Sequence, residues 1–232
     1  MNKEIVWVTG AGSGIGREIA LAFALNGHSV LATGRSLEKL QNLELNGGGN
    51  INIAQCDMSS NKSISSFFEQ KPESKDISIL VNNAGITSFT PAENDSPELI
   101  EKVIAVNLTG AIHAIQSVLP GMISRKNGII LNILSVITQK VFTKSSIYSA
   151  TKSGLEAYSK VLREEVRRHN IKVINVSPGA TNTPIWSEEM RGRYAARMMN
   201  PKELAGLVYN VCFLQGNVVA EDIVLRPVQG DL

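Results

Sequence analysis

Cysteine is nearly absent: only Cys56 and Cys212 occur in 232 residues, far apart and outside any CxxC or Cys/His spacing. That excludes a disulfide framework and supplies no zinc-ligand pattern, so metal is not expected at any site. An excess of charge is missing too. Lys and Arg number 23 against 21 Asp and Glu, a formal net charge of +2 with both signs spread along the chain. No field results that would hold a polyphosphate backbone, and nucleic acid is not an expected partner. No apolar run approaches the ~20 residues of a membrane span, so no membrane association is expected. The start, Met1-Asn2-Lys3-Glu4, leads straight into Ile5-Val6-Trp7-Val8 without an apolar h-region or small-residue cleavage site. The expected location is the cytoplasm.

What is present is an ordinary globular balance, 43% hydrophobic and 19% charged. The length suits one large α/β domain over residues 1–232. Short β-branched runs alternate with helical patterns throughout. Strands are predicted at Ile5 to Thr9, Ser29 to Thr33, Asn50 to Cys56, Ile77 to Asn82, Gly128 to Leu134, Lys172 to Ser177 and Asp222 to Arg226. Seven strands interleaved with helices imply βαβ units and a doubly wound, Rossmann-like parallel sheet with helices on both faces. Helix ends are readable as well. Arg17 to Asn26 stops at Gly27, and Ser96-Pro97-Glu98 and Asn200-Pro201-Lys202-Glu203 are start signals. Thr181 to Asn200 is a long connection without strong periodicity.

The first predicted strand runs into Thr9-Gly10-Ala11-Gly12-Ser13-Gly14-Ile15-Gly16. Glycines there let the backbone approach a pyrophosphate and aim helix N-terminal N–H groups at it. The pattern is T-G-x3-G-x-G, with Ile15 where G-x-G-x-x-G would have glycine. Gly10, Ser13, Gly14, Ile15 and Gly16 are therefore candidate cofactor contacts. The second strand ends without the carboxylate that holds an NAD ribose; Arg35 stands there and suits a 2′-phosphate. NADPH/NADP+ is expected in preference to NADH.

Tyr148 and Lys152 are spaced i, i+4 at the start of a helical pattern, on one face, where an ammonium can stabilise a phenolate. Together with Thr9-Gly10-x3-Gly14-x-Gly16, Asn82-Asn83-Ala84-Gly85, Asn107, Ser135 and Pro178-Gly179, this set resembles the classical short-chain dehydrogenases/reductases over essentially the whole chain. The resemblance implies roles by position. Ser135 hydrogen-bonds the substrate oxygen, Tyr148 exchanges a proton with it, and Lys152 holds the nicotinamide ribose and lowers the Tyr148 pKa. Asn107 anchors a water that links Lys152 to solvent. Asp57 and Met58 flank the adenine, Asn83 and Ala84 line the cofactor ribose, and Pro178, Gly179 and Thr181 meet the nicotinamide.

Hydride reaching a carbonyl carbon builds charge on oxygen, which a positioned hydroxyl pair stabilises while one member delivers a proton. The expected substrate is a small ketone, aldehyde, hydroxy acid or corresponding alcohol. The short stretch after the seventh predicted strand looks unlike the longer glycine-rich end of acyl-carrier-protein reductases, yet 3-oxoacyl reduction stays open as the alternative. A silent NADP(H)-sensing module is disfavoured because Ser135, Tyr148 and Lys152 are all present. Thr181 to Asn200 is expected to shape the substrate pocket as a lid, although Ile185, Trp186, Met190, Tyr194, Met198 and Met199 suit a packed core equally well. His28, His113 and His169 are read as structural or solvent-facing. The resemblance also implies a homodimer or homotetramer.

Overall fold

The computed structural model describes residues 3–232. Its centre is β1 (Ile5–Thr9), where strand alternation is easiest to see: Val6 and Val8 face one side of the sheet, Trp7 the other, all fully buried. Burial on both faces is what a parallel sheet covered by crossover helices requires. The remaining strands are β2 (Ser29–Gly34), β3 (Ile51–Gln55), β4 (Ile79–Asn82), β5 (Gly128–Ile133), β6 (Ile171–Pro178) and β7 (Asp222–Leu225). Their order is β3-β2-β1-β4-β5-β6-β7, and every pairing is parallel. The chain winds outward from β1 to β3, returns, and leaves β4 on the other side. The order reverses between β1 and β4, which opens a crevice at their carboxyl ends.

One face carries α1 (Gly14–Leu25), α2 (Leu37–Asn46) and α8 (Pro201–Cys212), whose Ile19, Phe23, Leu40, Leu204 and Val208 pack on Val6, Val30, Val81 and Ile174. The opposite face carries α3 (Asn61–Gln70), α4 (Pro97–Ile104), α5 (Gly110–Arg125) and α6 (Ser146–Val166), whose Phe67, Ile115, Met122 and Leu162 pack on Trp7, Leu80 and Val173. The remaining helix, α7 (Glu188–Tyr194), lies in the connection between β6 and α8. Trp7 also stacks on Phe67 at 4.9 Å, and its indole N–H reaches the Thr33 hydroxyl.

Between α4 and α5, residues Ala105–Thr109 form a π-turn, so Pro97–Arg125 is one continuous helix of 29 residues with a wide turn inside it. With a mean hydropathy of 1.4 over its best 18-residue window, that helix is long and apolar enough to cross a membrane. A core helix passes the same test of length and composition. Here its apolar stripe, Ala114, Ile115, Val118 and Met122, is spent on the sheet.

Polar side chains form a rung across four strands. Asn82, Asn132, Asn175 and Asp222 are register partners in β4 to β7. Asn82 Nδ2 donates to Asn132 Oδ1 at 3.0 Å, Asn132 Nδ2 to Asn175 Oδ1 at 3.2 Å, and Asn175 Nδ2 to Asp222 Oδ1 at 2.9 Å. Asn132 Nδ2 also reaches Ser159 Oγ in α6 at 2.9 Å, and Arg163 of α6 pairs with Asp222 at the far end. The rung thus ties the helix that carries Tyr148 and Lys152 to three strands.

The predicted elements are present with shifted ends. Helix α1 begins at Gly14 rather than Arg17, because Gly14 with φ +57° makes the turn out of the extended Ser13. Strand β4 starts at Ile79 rather than Ile77, after the 3₁₀ turn Pro72–Asp76. Strand β6 extends one residue past the prediction at each end, finishing on Pro178, where no ladder N–H is needed.

Candidate active site

The carboxyl ends of the strands open into a cavity of about 880 Å³. At its floor the β1–α1 loop interlocks with Asn83-Ala84. Thr9 Oγ1 accepts from the Asn83 and Ala84 N–H groups at 3.0 and 3.1 Å, and Asn83 Nδ2 donates to the Thr9 carbonyl at 2.9 Å. A Cβ on Gly10, whose φ is +65°, would lie 2.8 Å from Ala84 Cα, and one on Gly16 would lie 2.2 Å from Asn83 Nδ2. Gly10, Ser13, Gly14, Ile15, Asn83 and Ala84 line the cavity. Gly16 lies just behind the lining, packed against Asn83.

Past this loop Arg35 lines the cavity, joined by Lys39 from the first turn of α2. No carboxylate pairs with either cation among the described residues. Asp57 and Met58 stand on the facing wall. Partial burial opposes ionisation of Asp57, but bonds from the Ser59 N–H and hydroxyl, with the Arg35 and Lys102 charges, hold its carboxyl below the ordinary value.

At the other end, β5 delivers Ser135 and α6 delivers Tyr148 and Lys152. Ser135 Oγ caps the short turn Val136–Thr138, accepting from Ile137 N, and shares the cavity lining with Tyr148. Burial pushes the Tyr148 phenol up to about 12, only partly offset by Ser135. Lys152 is buried, donates from Nζ to the Ile133 carbonyl at 2.7 Å, and is lowered by that burial to about 8. Pro178, Gly179 and Thr181 close the wall beyond β6, Gly179 N donating to the Leu225 carbonyl at 2.7 Å.

Asn107 sits in the π-turn, off the cavity wall. Its Oδ1 accepts from Ile86 N and its Nδ2 donates to the Ile86 carbonyl, both at 2.8 Å, with a further bond to Thr151 Oγ1 at 3.2 Å. Gly85 lies between Asn107 and Lys152: a Cβ there would be 3.5 Å from Asn107 Oδ1 and 3.6 Å from Lys152 Nζ. Asn107 therefore clamps the segment after Asn83-Ala84 against α6.

The wall beyond Ser135 and Tyr148 is largely apolar. Phe89 and Trp186 stack across it at 5.5 Å, with Phe142, Met190 and Tyr194 nearby on the lining. The Thr181 to Asn200 connection divides: Ile185, Trp186, Met190, Tyr194 and Arg197 line the cavity, whereas Met199 packs into the core beneath β6. A parallel bridge between Thr181 and Met199 closes the base of this excursion. Asp231 joins the lining from the far end of the chain, its carboxylate held by Lys140 and Arg226. Sequence reasoning missed Lys39 and Asp231. Lys39 had a signal, four residues after Arg35 in a helix start; Asp231 had none, since only the fold brings residue 231 beside residues 140 and 197.

His28 is buried against Phe213 and Tyr209 with Nδ1 accepting from Glu4 N, remote from the cavity lining. Among the described residues no cluster of His, Cys, Asp or Glu is arranged to hold a metal ion.

Known proteins resemble this chain in sequence and fold. Similarity to the NADP-dependent 3-hydroxy acid dehydrogenase YdfG of Salmonella typhi is 33% identity over 97% of this chain and 95% of that one. A serine dehydrogenase solved in a closed form with NADP+ superposes with a TM-score of 0.91, at 32% identity over 98% of this chain and 96% of its own. An actinorhodin polyketide ketoreductase variant solved with NADPH gives 0.86 at 28% identity, covering 96% and 95%. The family model described as short chain dehydrogenase matches residues 4–193, and with these relatives it places the chain in the short-chain dehydrogenase/reductase family.

Proposed function

We propose that this protein is an NADP(H)-dependent oxidoreductase that moves hydride between the nicotinamide and the carbon of a carbonyl or secondary alcohol. The observation that carries the reading is the shared wall: Ser135, Tyr148 and Lys152 open onto the same cavity as the glycine loop Gly10, Gly12, Ser13, Gly14 and Ile15. The fit to a dinucleotide extends to the cation pair Arg35 and Lys39, which matches a 2′-phosphate. Relatives named for NADP dependence support the same choice.

When bound, the cofactor supplies the hydride. The chain's own residues do the rest. Ser135 donates a hydrogen bond to the substrate oxygen and fixes it beside Tyr148. Tyr148, kept protonated by burial, gives its proton to that oxygen as charge develops, and in the reverse direction takes one back. Lys152, anchored on the Ile133 carbonyl, places a positive charge beneath the phenol and offers donors to the nicotinamide ribose. Phe89 and Trp186 exclude water from the reacting carbon.

The substrate is a small ketone, aldehyde or hydroxy acid; the likeness to a polyketide ketoreductase keeps 3-oxoacyl thioester reduction as the second reading. Nicotinamide absorbance with NADPH, then NADH, against ketones, aldehydes, 3-oxo acids and a 3-oxoacyl thioester tests both. Turnover with NADPH on the small carbonyls is the expected result; tight NADPH binding without turnover on any of them would point to a sensor. A homodimer or homotetramer belongs to the same proposal, and sedimentation equilibrium tests it.

A further inference from the structure

We infer that Arg197 reads a carboxylate on the substrate, which narrows the proposed substrate class to small hydroxy and oxo acids. The inference rests on the oxidoreductase reading above and goes beyond it in naming the group that selects the substrate.

Charge is distributed unevenly along the cavity. The cations on its lining are Arg35, Lys39, Lys152 and Arg197, and the anions are Asp57 and Asp231. Arg35 and Lys39 belong to the adenosine end, and Lys152 is committed to the Ile133 carbonyl. Arg197 is the cation left at the substrate end, the last residue of the short turn Ala195–Arg197 after α7, on a wall shared with Phe89, Trp186, Met190, Tyr194 and Asp231.

Its present bonding leaves it free to take an anion. Arg197 NH2 donates to the backbone carbonyl of Asp231 at 3.0 Å, a neutral acceptor, and no carboxylate pairs with it among the described residues. The Asp231 carboxylate is already taken by Lys140, at 2.8 Å, and by Arg226. Of these four residues only Arg197 and Asp231 line the cavity, and the Asp231 carboxylate is balanced by Lys140 and Arg226, so the Arg197 charge is left uncompensated there. A guanidinium offers five N–H donors in a planar fork, and one bond to a carbonyl uses little of that capacity. An isolated guanidinium on a mostly apolar, partly desolvated wall gains most from a carboxylate able to accept two parallel bonds. Binding there leaves the opposite end of a short acid, with its hydroxyl or carbonyl, for Ser135 and Tyr148.

The test compares acetoacetate with methyl acetoacetate, in which a methyl group caps the carboxylate and removes its charge, as substrates of the full chain with NADPH. It adds the variants Arg197→Gln and Arg197→Lys. The expected result is a wild-type preference for the acid in kcat/KM. That acid-to-ester ratio should fall roughly tenfold or more in Arg197→Gln, mainly through KM, and return in part in Arg197→Lys, which restores charge without the fork. A general loosening of the loop would lower both substrates together and leave the ratio unchanged, and that outcome overturns the inference. So does a wild-type preference for the ester or for acetoacetyl thioester. Binding is read separately, as quenching of Trp186 fluorescence by acetoacetate in the presence of NADP+, with Trp186→Phe as the blank. Binding that depends on Arg197 without turnover of any carbonyl would sink the oxidoreductase reading and keep the carboxylate site; turnover with binding indifferent to Arg197 would do the reverse.

Discussion

The Lys152 ammonium lies 5.8 Å from the centre of the Tyr148 ring, and its Nζ hydrogen-bonds the Ile133 carbonyl. The two groups therefore titrate in opposite directions from their ordinary values for the same reason, burial: the ammonium goes down to about 8 and the phenol up to about 12. Below about 8 both carry their protons, the state suited to delivering a proton to a carbonyl oxygen. Reductive kcat/KM is expected to stay level up to that point and to fall above it as Lys152 is neutralised. Oxidation needs the phenol deprotonated and should rise through the alkaline range. Profiles measured in both directions check the assignment; a reductive rate indifferent to pH well above 8 would remove Lys152 from it.

Replacing Tyr148 by Phe removes the transferable proton and keeps the ring. Turnover should drop by ~10² or more, while NADPH binding, followed by nicotinamide fluorescence, stays close to wild type. Unchanged turnover would take Tyr148 out of the mechanism.

At the other end of the cavity, Arg35→Ala and Lys39→Ala each remove a charged donor that only a 2′-phosphate would use. A loss of about 1.5–3 kcal/mol per charged hydrogen bond corresponds to roughly 10- to 100-fold weaker NADPH binding, with NADH little affected. Calorimetric titration of both nucleotides decides it, and equal losses would cancel the 2′-phosphate assignment.

The asparagine rung predicts a stability effect. Asn132→Leu leaves the Asn175 Oδ1 and Asn82 Nδ2 groups without their shared partner inside the sheet, and each stranded buried polar group costs about 1–3 kcal/mol. Urea unfolding should show at least that decrease. A change within a few tenths would mean that the neighbours find other partners.

Much of this was legible in the sequence because it depends on local chemistry. The glycine loop needs positive φ at Gly10 and Gly14, and the β-branched runs need burial on both faces; both requirements are written in consecutive residues. Tyr148 and Lys152 share a helix face by spacing alone. The sequence did not show what depends on contacts between distant segments. Gly16 looks like any loop glycine until Asn83 is packed against it, and the bonds from both Asn107 amide atoms to Ile86 join segments that only the fold brings together. Asp231 enters the cavity only through its partners Lys140, Arg226 and Arg197.

The π-turn at Ala105–Thr109 has a consequence for how this helix tolerates change in length. The wide turn holds one residue more than an α-helical turn would, and the side chain that Asn107 sends to Ile86 comes from within it. Deleting one residue there would restore regular winding and leave the downstream helix close to its present phase, with Val118 and Met122 still on the sheet and only the reach of Asn107 to Ile86 lost. A deletion anywhere else along Pro97–Arg125 would rotate everything downstream by roughly 100° about the axis. Single-residue deletions scanned along this helix should thus cost least in stability at the turn, where what is lost is the Asn107 clamp rather than the packing of the apolar stripe.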